Sequence, residues 1–125
     1  IADVFKPGDH GSTFGGSCLA IAACAATLSA LVRGDYGEHA AKVGAYMEAK
    51  LAKLPHVTEV RGRGLMLGCD LDDAAGDAHD IVARALAAGV VINATGAHTL
   101  RFLPPLVCEE ADVDSLIEIL SDVLA

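Results

Sequence analysis

Between Ser17 and Val32 the chain reads SCLAIAACAATLSALV, an apolar run with Ala, Ser and Cys on every face instead of along one stripe. That pattern predicts a helix approached by other backbones from several sides. Gly34 and Asp35 break it. From Gly37 to Leu54, the residues Ala40, Val43, Gly44, Met47, Leu51 and Leu54 recur at helical spacing and predict a second helix, which Pro55 ends. Glu38 and Lys42, four apart on its other side, read as a favourable pair.

Beyond Pro55 the period changes. Val57 to Arg61 predicts a short strand and Arg61-Gly62-Arg63-Gly64 a hairpin bend. Leu65 to Leu71 predicts a second strand, with Leu65, Leu67, Cys69 and Leu71 alternating. Asp72 to Gly76 reads as a turn. A third helix over Asp77 to Ala88 would turn Ile81, Val82, Ala85 and Leu86 inward, with Gly89 as its C-terminal stop. Val90 to Asn93 and Thr99 to Leu103 predict two more strands around a turn at Gly96. The last helix, Glu109 to Leu124, would bury Val113, Leu116, Ile117, Leu120 and Leu124, and its acidic first turn suits the helix dipole. The expected architecture is α+β: a two-layer sandwich with helices on one face of a small, mostly antiparallel sheet. The first helix fits this layer least well and is expected to pack on something outside the chain.

Composition narrows the class. The 125 residues are 53% apolar and only 4% aromatic, so the core must be built from Ala, Val, Leu and Ile. A formal net charge of −8 argues against nucleic-acid and anionic-membrane partners. The Ser17–Val32 run is shorter than the about 20 apolar residues a bilayer span requires, and without a basic leader it does not read as a signal peptide. Cys18, Cys24, Cys69 and Cys108 form no C-x-x-C pair and no zinc spacing. They read as reduced, half-buried small hydrophobes, in keeping with a cytoplasmic location. The five histidines show no metal spacing either. The chain opens on Ile1 within what reads as structure, which suggests a piece of a longer protein.

Two stretches could carry chemistry. His10-Gly11-Ser12-Thr13-Phe14-Gly15-Gly16-Ser17 places glycines around two hydroxyls directly before a helix, an arrangement suited to a phosphate. It is not a Walker loop, because no Lys follows the glycines; a flexible turn capped by Ser17 is the alternative. In Thr99-Leu100-Arg101-Phe102-Leu103-Pro104-Pro105-Leu106, Arg101 points opposite to Leu100 and Phe102. Held on a strand and braced by Pro-Pro, it could grip a carboxylate with two bonds; a solvated surface arginine is the alternative.

Three blocks together resemble the class III aminotransferases of the acetylornithine and succinyldiaminopimelate group. They are Phe5 to Gly16 (FKPGDHGSTFGG), Val60 to Gly68 (VRGRGLMLG) and Leu100 to Leu106 (LRFLPPL), and their order and spacing match along the whole chain. The resemblance implies a fold-type I subunit of which residues 1–33 are the end of the large cofactor domain and its connecting helix, and residues 34–125 the C-terminal small domain. It implies pyridoxal 5'-phosphate as cofactor, amino acid and 2-oxo acid as substrates, and a homodimer. It assigns Thr13, with Ser12 beside it, to the cofactor phosphate of the neighbouring subunit, and Arg101 to the substrate α-carboxylate. The implied reaction moves the δ-amino group of N-acetylornithine to 2-oxoglutarate in arginine biosynthesis; ornithine, succinylornithine and 4-aminobutyrate transamination are sister readings.

Two departures accompany the resemblance. Ser17-Cys18 stands where the family usually has Asn-Pro, so the proline that presets the first helical turn is lost. The family's cofactor-anchoring lysine and the acid that partners the pyridine nitrogen lie upstream. Lys6, Lys42, Lys50 and Lys53 are the only lysines, and none stands in that context. The chain by itself is therefore expected to be inactive. A reading from another class is a non-catalytic α+β module that senses an amino acid. An uncovered apolar helix predicts self-association of the fragment, which a clean monomer in solution would argue against.

Overall fold

The computed structural model describes Val4 and residues 6–125; Phe5, the first residue of the first family-like block, lies outside the described residues. The chain divides into two compact units, one ending at Asp35 and the other running from Tyr36 to Ala125.

In the first unit, a glycine-rich loop leads into helix α1 (Cys18–Arg33). Ser17 caps it, its Oγ accepting from Ala20 N at 3.3 Å. No residue of α1 is buried, and Leu19 and Val32 are more than four-fifths exposed. No single described helix is long and apolar enough to cross a membrane.

The second unit holds helix α2 (Tyr36–Leu51), strands β1 (Val57–Arg63) and β2 (Met66–Leu71), and a 3-10 turn at Asp73–Ala75. Helix α3 (Ala78–Ala87), strands β3 (Asn93–Gly96) and β4 (Thr99–Phe102), and helix α4 (Glu110–Leu124) follow. The four strands form one antiparallel sheet in the order β1-β2-β4-β3. Alternation decides its two faces: Leu67, Cys69, Leu71, Leu100 and Phe102 are buried, while Met66, Arg101 and the other intervening side chains reach the opposite, open face. Helix α2 lies against β1 and β2, α3 against β3 and β4, and α4 packs on both helices. Met47, Leu51, Ile81, Val113 and Leu120 complete the core between them. The α+β layout with helices on one face of an antiparallel sheet agrees with the sequence reading.

Several local expectations fail, each for a physical reason. The hairpin bend is not at Gly62: β1 continues through Arg63, and the turn is Gly64-Leu65, with Gly64 at φ +55. Val90 to Ile92 does not pair as a strand. Gly89 at φ +95 closes the helix end so that Val90 N donates back to Ala85 O at 2.9 Å, and pairing starts only at Asn93. The following turn is Ala97-His98, not Gly96, and its carbonyls accept from Ala78 N and Leu71 N, both at 2.8 Å. Leu86, expected inward, is 60% exposed, and Leu116 and Ile117 are only half-buried. Lys42 pairs with Glu110 of α4 at 3.1 Å, not with Glu38. The cysteines are not half-buried: Cys69 and Cys108 are buried, Cys18 and Cys24 exposed.

Candidate functional site

The glycine-rich loop of the first unit is shaped by its own short bonds. Lys6 N donates to Asp9 Oδ2 at 2.8 Å and Asp9 N to Lys6 O at 3.1 Å, with Gly8 at φ +100. Ser12 Oγ then accepts from Gly15 N at 2.8 Å. That bond explains the glycine pair. A Cβ on Gly15 would stand 2.7 Å from Ser12 Oγ, and Gly16 turns at φ +75. The loop exposes Ser12, Thr13 and Phe14 just before α1. Ser12 keeps its O–H free to donate while its lone pair is used, and the Thr13 hydroxyl has no partner among the described residues. Two short hydroxyls, exposed amides and a helix start fit a phosphate group.

The open face of the sheet carries the second candidate. The pairing register places Arg61 of β1, Gly68 of β2, Arg101 of β4 and Asn93 of β3 in one cross-strand row. Beside this row, Arg61 grips Asp70 with both terminal nitrogens, Nη2 to Oδ1 at 3.0 Å, and the Thr99 hydroxyl donates to the same Oδ1 at 2.7 Å. The Arg61 guanidinium, and after it the Thr99 hydroxyl, hold the Asp70 carboxyl below the usual carboxylate value; Asp70 in turn raises Arg61. Arg101 has no such partner among the described residues. Its side chain opens onto a depression of about 450 Å³ that Arg61, Arg63, Gly68, Thr95 and Thr99 also line, with no acidic residue in its wall.

Behind Arg101, Leu100 and Phe102 are 1% and 3% exposed, so the strand is pinned by its other face. The Pro104-Pro105 segment ends in a local turn before α4, with Cys108 N donating to Pro105 O at 2.9 Å, and α2 reaches that turn through His39 Nε2, 2.8 Å from Cys108 O. The strand beneath Arg101 is thus fixed, and its exposed guanidinium, unpartnered among the described residues, is available to grip a carboxylate with two bonds. Among the described residues, no group of three or more His, Cys, Asp or Glu is placed to hold a metal.

Thr13 and Ser12 lie in the first unit and Arg101 in the second. Sequence reading missed Asp70, Thr99 and Gly68. Asp70 had one available signal: it is the acid in an otherwise apolar strand, and a turn at Gly64-Leu65 sets it diagonal to Arg61.

Residues 1–124 match the aminotransferase class-III family. The acetylornithine aminotransferase of Caldanaerobacter subterraneus is 44% identical over 126 residues, covering 98% of this chain and 32% of the relative. An ornithine aminotransferase of Bordetella pertussis is 41% identical, covering 100% of this chain and 31% of the relative. The chain thus spans about a third of the length of the curated relatives it matches. Solved structures of ornithine delta-aminotransferase from Plasmodium falciparum and of acetylornithine aminotransferase from Elizabethkingia anophelis superpose with TM-scores of 0.82 and 0.81. Each is 31% identical and matches 99% of this chain, which covers 33% and 32% of the two structures respectively. A family match along nearly the whole chain, at identities that also carry the fold, means that this protein belongs to the class-III aminotransferases.

Proposed function

We propose that this chain is the C-terminal part of a pyridoxal-phosphate-dependent acetylornithine aminotransferase, in which Arg101 holds the substrate α-carboxylate. The observation that carries the reading is the unpartnered Arg101 on the open face of the sheet, in a depression whose wall holds three arginines and no acid. Arg61 is already neutralised by Asp70, so Arg101 and Arg63 supply the charge that a carboxylate would meet. Thr13 and Ser12 would hold the cofactor phosphate across a homodimer interface, with residues 1–33 ending the large domain and 34–125 forming the small one. The cofactor, when bound, supplies the electron sink for amino transfer. The protein's own contribution here is to bind and orient: hydroxyls and amides on the phosphate, a guanidinium on the carboxylate. Neither the anchoring lysine nor a proton-shuttling base is supplied by this chain, so the chain alone is inactive. Its free thiols suit a reducing, cytoplasmic location, and the parent reaction would serve arginine biosynthesis.

The test uses the complete protein loaded with pyridoxal phosphate. Its visible cofactor band should bleach with N-acetylornithine and recover with 2-oxoglutarate. A band that ignores N-acetylornithine but responds to ornithine would favour the second reading, ornithine transamination, which the 41% identity to the Bordetella pertussis enzyme supports. Absence of any band would sink both.

A further inference from the structure

Glycines in this sheet unit are there for different reasons. A Cβ on Gly44 of α2 would lie 2.1 Å from Gly64 O, and one on Gly62 of β1 would lie 2.0 Å from Met66 O. Both positions are closed to any side chain. Gly68, inside β2, is not closed. Its backbone is outside the left-handed region, and the nearest atoms to an added Cβ are Arg61 Cγ and O at 3.8 Å and Nε at 3.9 Å, ordinary contact distances. Glycine inside a strand flanked on both sides weakens it and leaves a packing position unfilled, so a β-branched residue would serve the fold better. The pairing register is regular at Gly68, so no bulge accounts for the glycine, and a strand-interior glycine then often marks a place where a ligand or another backbone comes close.

What Gly68 leaves open is the middle of the row between Arg61 and Arg101. Two strand spacings separate those flanking positions by about 10 Å, room for a carboxylate only if the middle position carries no side chain. Two bonds to Asp70, two residues along β2 from Gly68, draw Arg61 onto β2, its stem within contact distance of the Gly68 position, and the Thr99 hydroxyl fixes the same carboxylate, so the open part of the row lies on the Arg101 side of Gly68. We propose that Gly68 is a specificity-determining residue: its missing side chain opens a slot on the sheet beside Arg101 in which the carboxylate of the amino-acid or 2-oxo-acid substrate lies, with the Asp70–Arg61 pair as the slot's fixed far wall. This rests on the reading of Arg101 as the carboxylate-binding residue.

The experiment compares the full-length holoenzyme with G68A, G68V and R101Q. It reads glutarate dissociation constants by titration calorimetry, KM for 2-oxoglutarate, and thermal midpoints. Glutarate has both carboxylates but no reacting carbonyl, so it reports binding alone. Loss of the charged pair in R101Q should weaken glutarate by on the order of tenfold or more. G68A should weaken it by roughly threefold and G68V by roughly tenfold, with KM following and the G68A midpoint unchanged or raised. Wild-type glutarate affinity in G68A and G68V, beside a weakened R101Q, would overturn the role of Gly68 and leave Arg101 in place. Wild-type affinity in R101Q would remove the Arg101 reading and this inference with it. If G68V melts well below the parent, G68A alone decides.

Discussion

Arg61 and Asp70, on adjacent strands, form a two-bond ion pair on the open face of the sheet, and the Thr99 hydroxyl ties the same carboxylate to a third strand. The pair joins β1, β2 and β4 at the level of the candidate carboxylate site. It also separates two arginines of one row into a structural cation and a free one.

Asp70→Asn should therefore lower stability modestly at neutral pH, because the arginine of the pair is half exposed and solvent screens it. The sign with pH follows from the depressed Asp70 value. The folded state holds the carboxylate charged more readily than the unfolded chain does, whose reference is 3.8. Its stabilisation is full above that value and is lost as pH falls through the lower folded value. Urea titrations of parent and D70N should differ by a constant amount above about pH 5 and converge below 3.8. A gap that widens in acid would contradict the pair.

Gly44→Ala should be strongly destabilising although alanine favours helix. The added methyl would sit 2.1 Å from Gly64 O and 2.4 Å from Gly64 C, backbone atoms that cannot swing aside. A clash with fixed backbone belongs at the upper end of overpacking costs, about 3 kcal/mol, and so exceeds the intrinsic helical gain of about 1 kcal/mol at most. Denaturation midpoints of G44A and a surface control such as A45S would check it; an unchanged midpoint for G44A would mean that α2 does not approach the hairpin turn this closely.

Leu120→Ala and Leu86→Ala should part company. Leu120 is 0% exposed and Leu86 60%. Truncating the first should cost about 2–5 kcal/mol, and the second should stay within about 0.5 kcal/mol. Equal losses would place Leu86 back in the core where its spacing suggested it.

That contrast shows what the sequence could and could not say. The switch from helical spacing at Ala40–Leu51 to alternation at Leu67–Leu71 is a local property, and it carries the α+β layout. Helix ends set by Ser17 and Asp77 are local too. Leu86 has the right spacing for the α3 stripe, but only the position of the sheet beneath α3 decides how wide that stripe is. The strand that the pattern expects from Val90 starts at Asn93 because the Gly89 closure ties Val90 back to Ala85, a helix-end geometry without a composition signal. At the site, Arg101 stood out by its pattern. Asp70 and Gly68 did not, because their importance depends on which residues face them across strands. Register in turn depends on a turn one residue away from the expected bend.

Cys69 should be inert in the native protein. Burial, and after it the neighbouring Asp70 charge, push its thiol up to about 12. At pH 8 that leaves a thiolate fraction of roughly 10⁻⁴, in a side chain 1% exposed. Iodoacetamide labelling followed by peptide mapping should find Cys69 unmodified until urea unfolds the sheet. Fast labelling in buffer would mean that β2 opens locally.

Thr13 and Ser12 should separate under substitution, because one hydroxyl is free and the other shapes the loop. Thr13→Val in the full-length protein removes a donor without disturbing any bond among the described residues. If the hydroxyl meets a phosphate, its loss costs about 1.5–3 kcal/mol of cofactor affinity, on the order of ten- to a hundredfold. Ser12→Ala removes the acceptor for Gly15 N and lets the turn before α1 open. It should weaken the cofactor more than one donor bond would, because the loop amides lose their arrangement as well. Cofactor release on dialysis, followed by the visible band, reads both variants. Parent-like retention in T13V, with loss only in S12A, would leave the loop's shape important and take the phosphate away from Thr13.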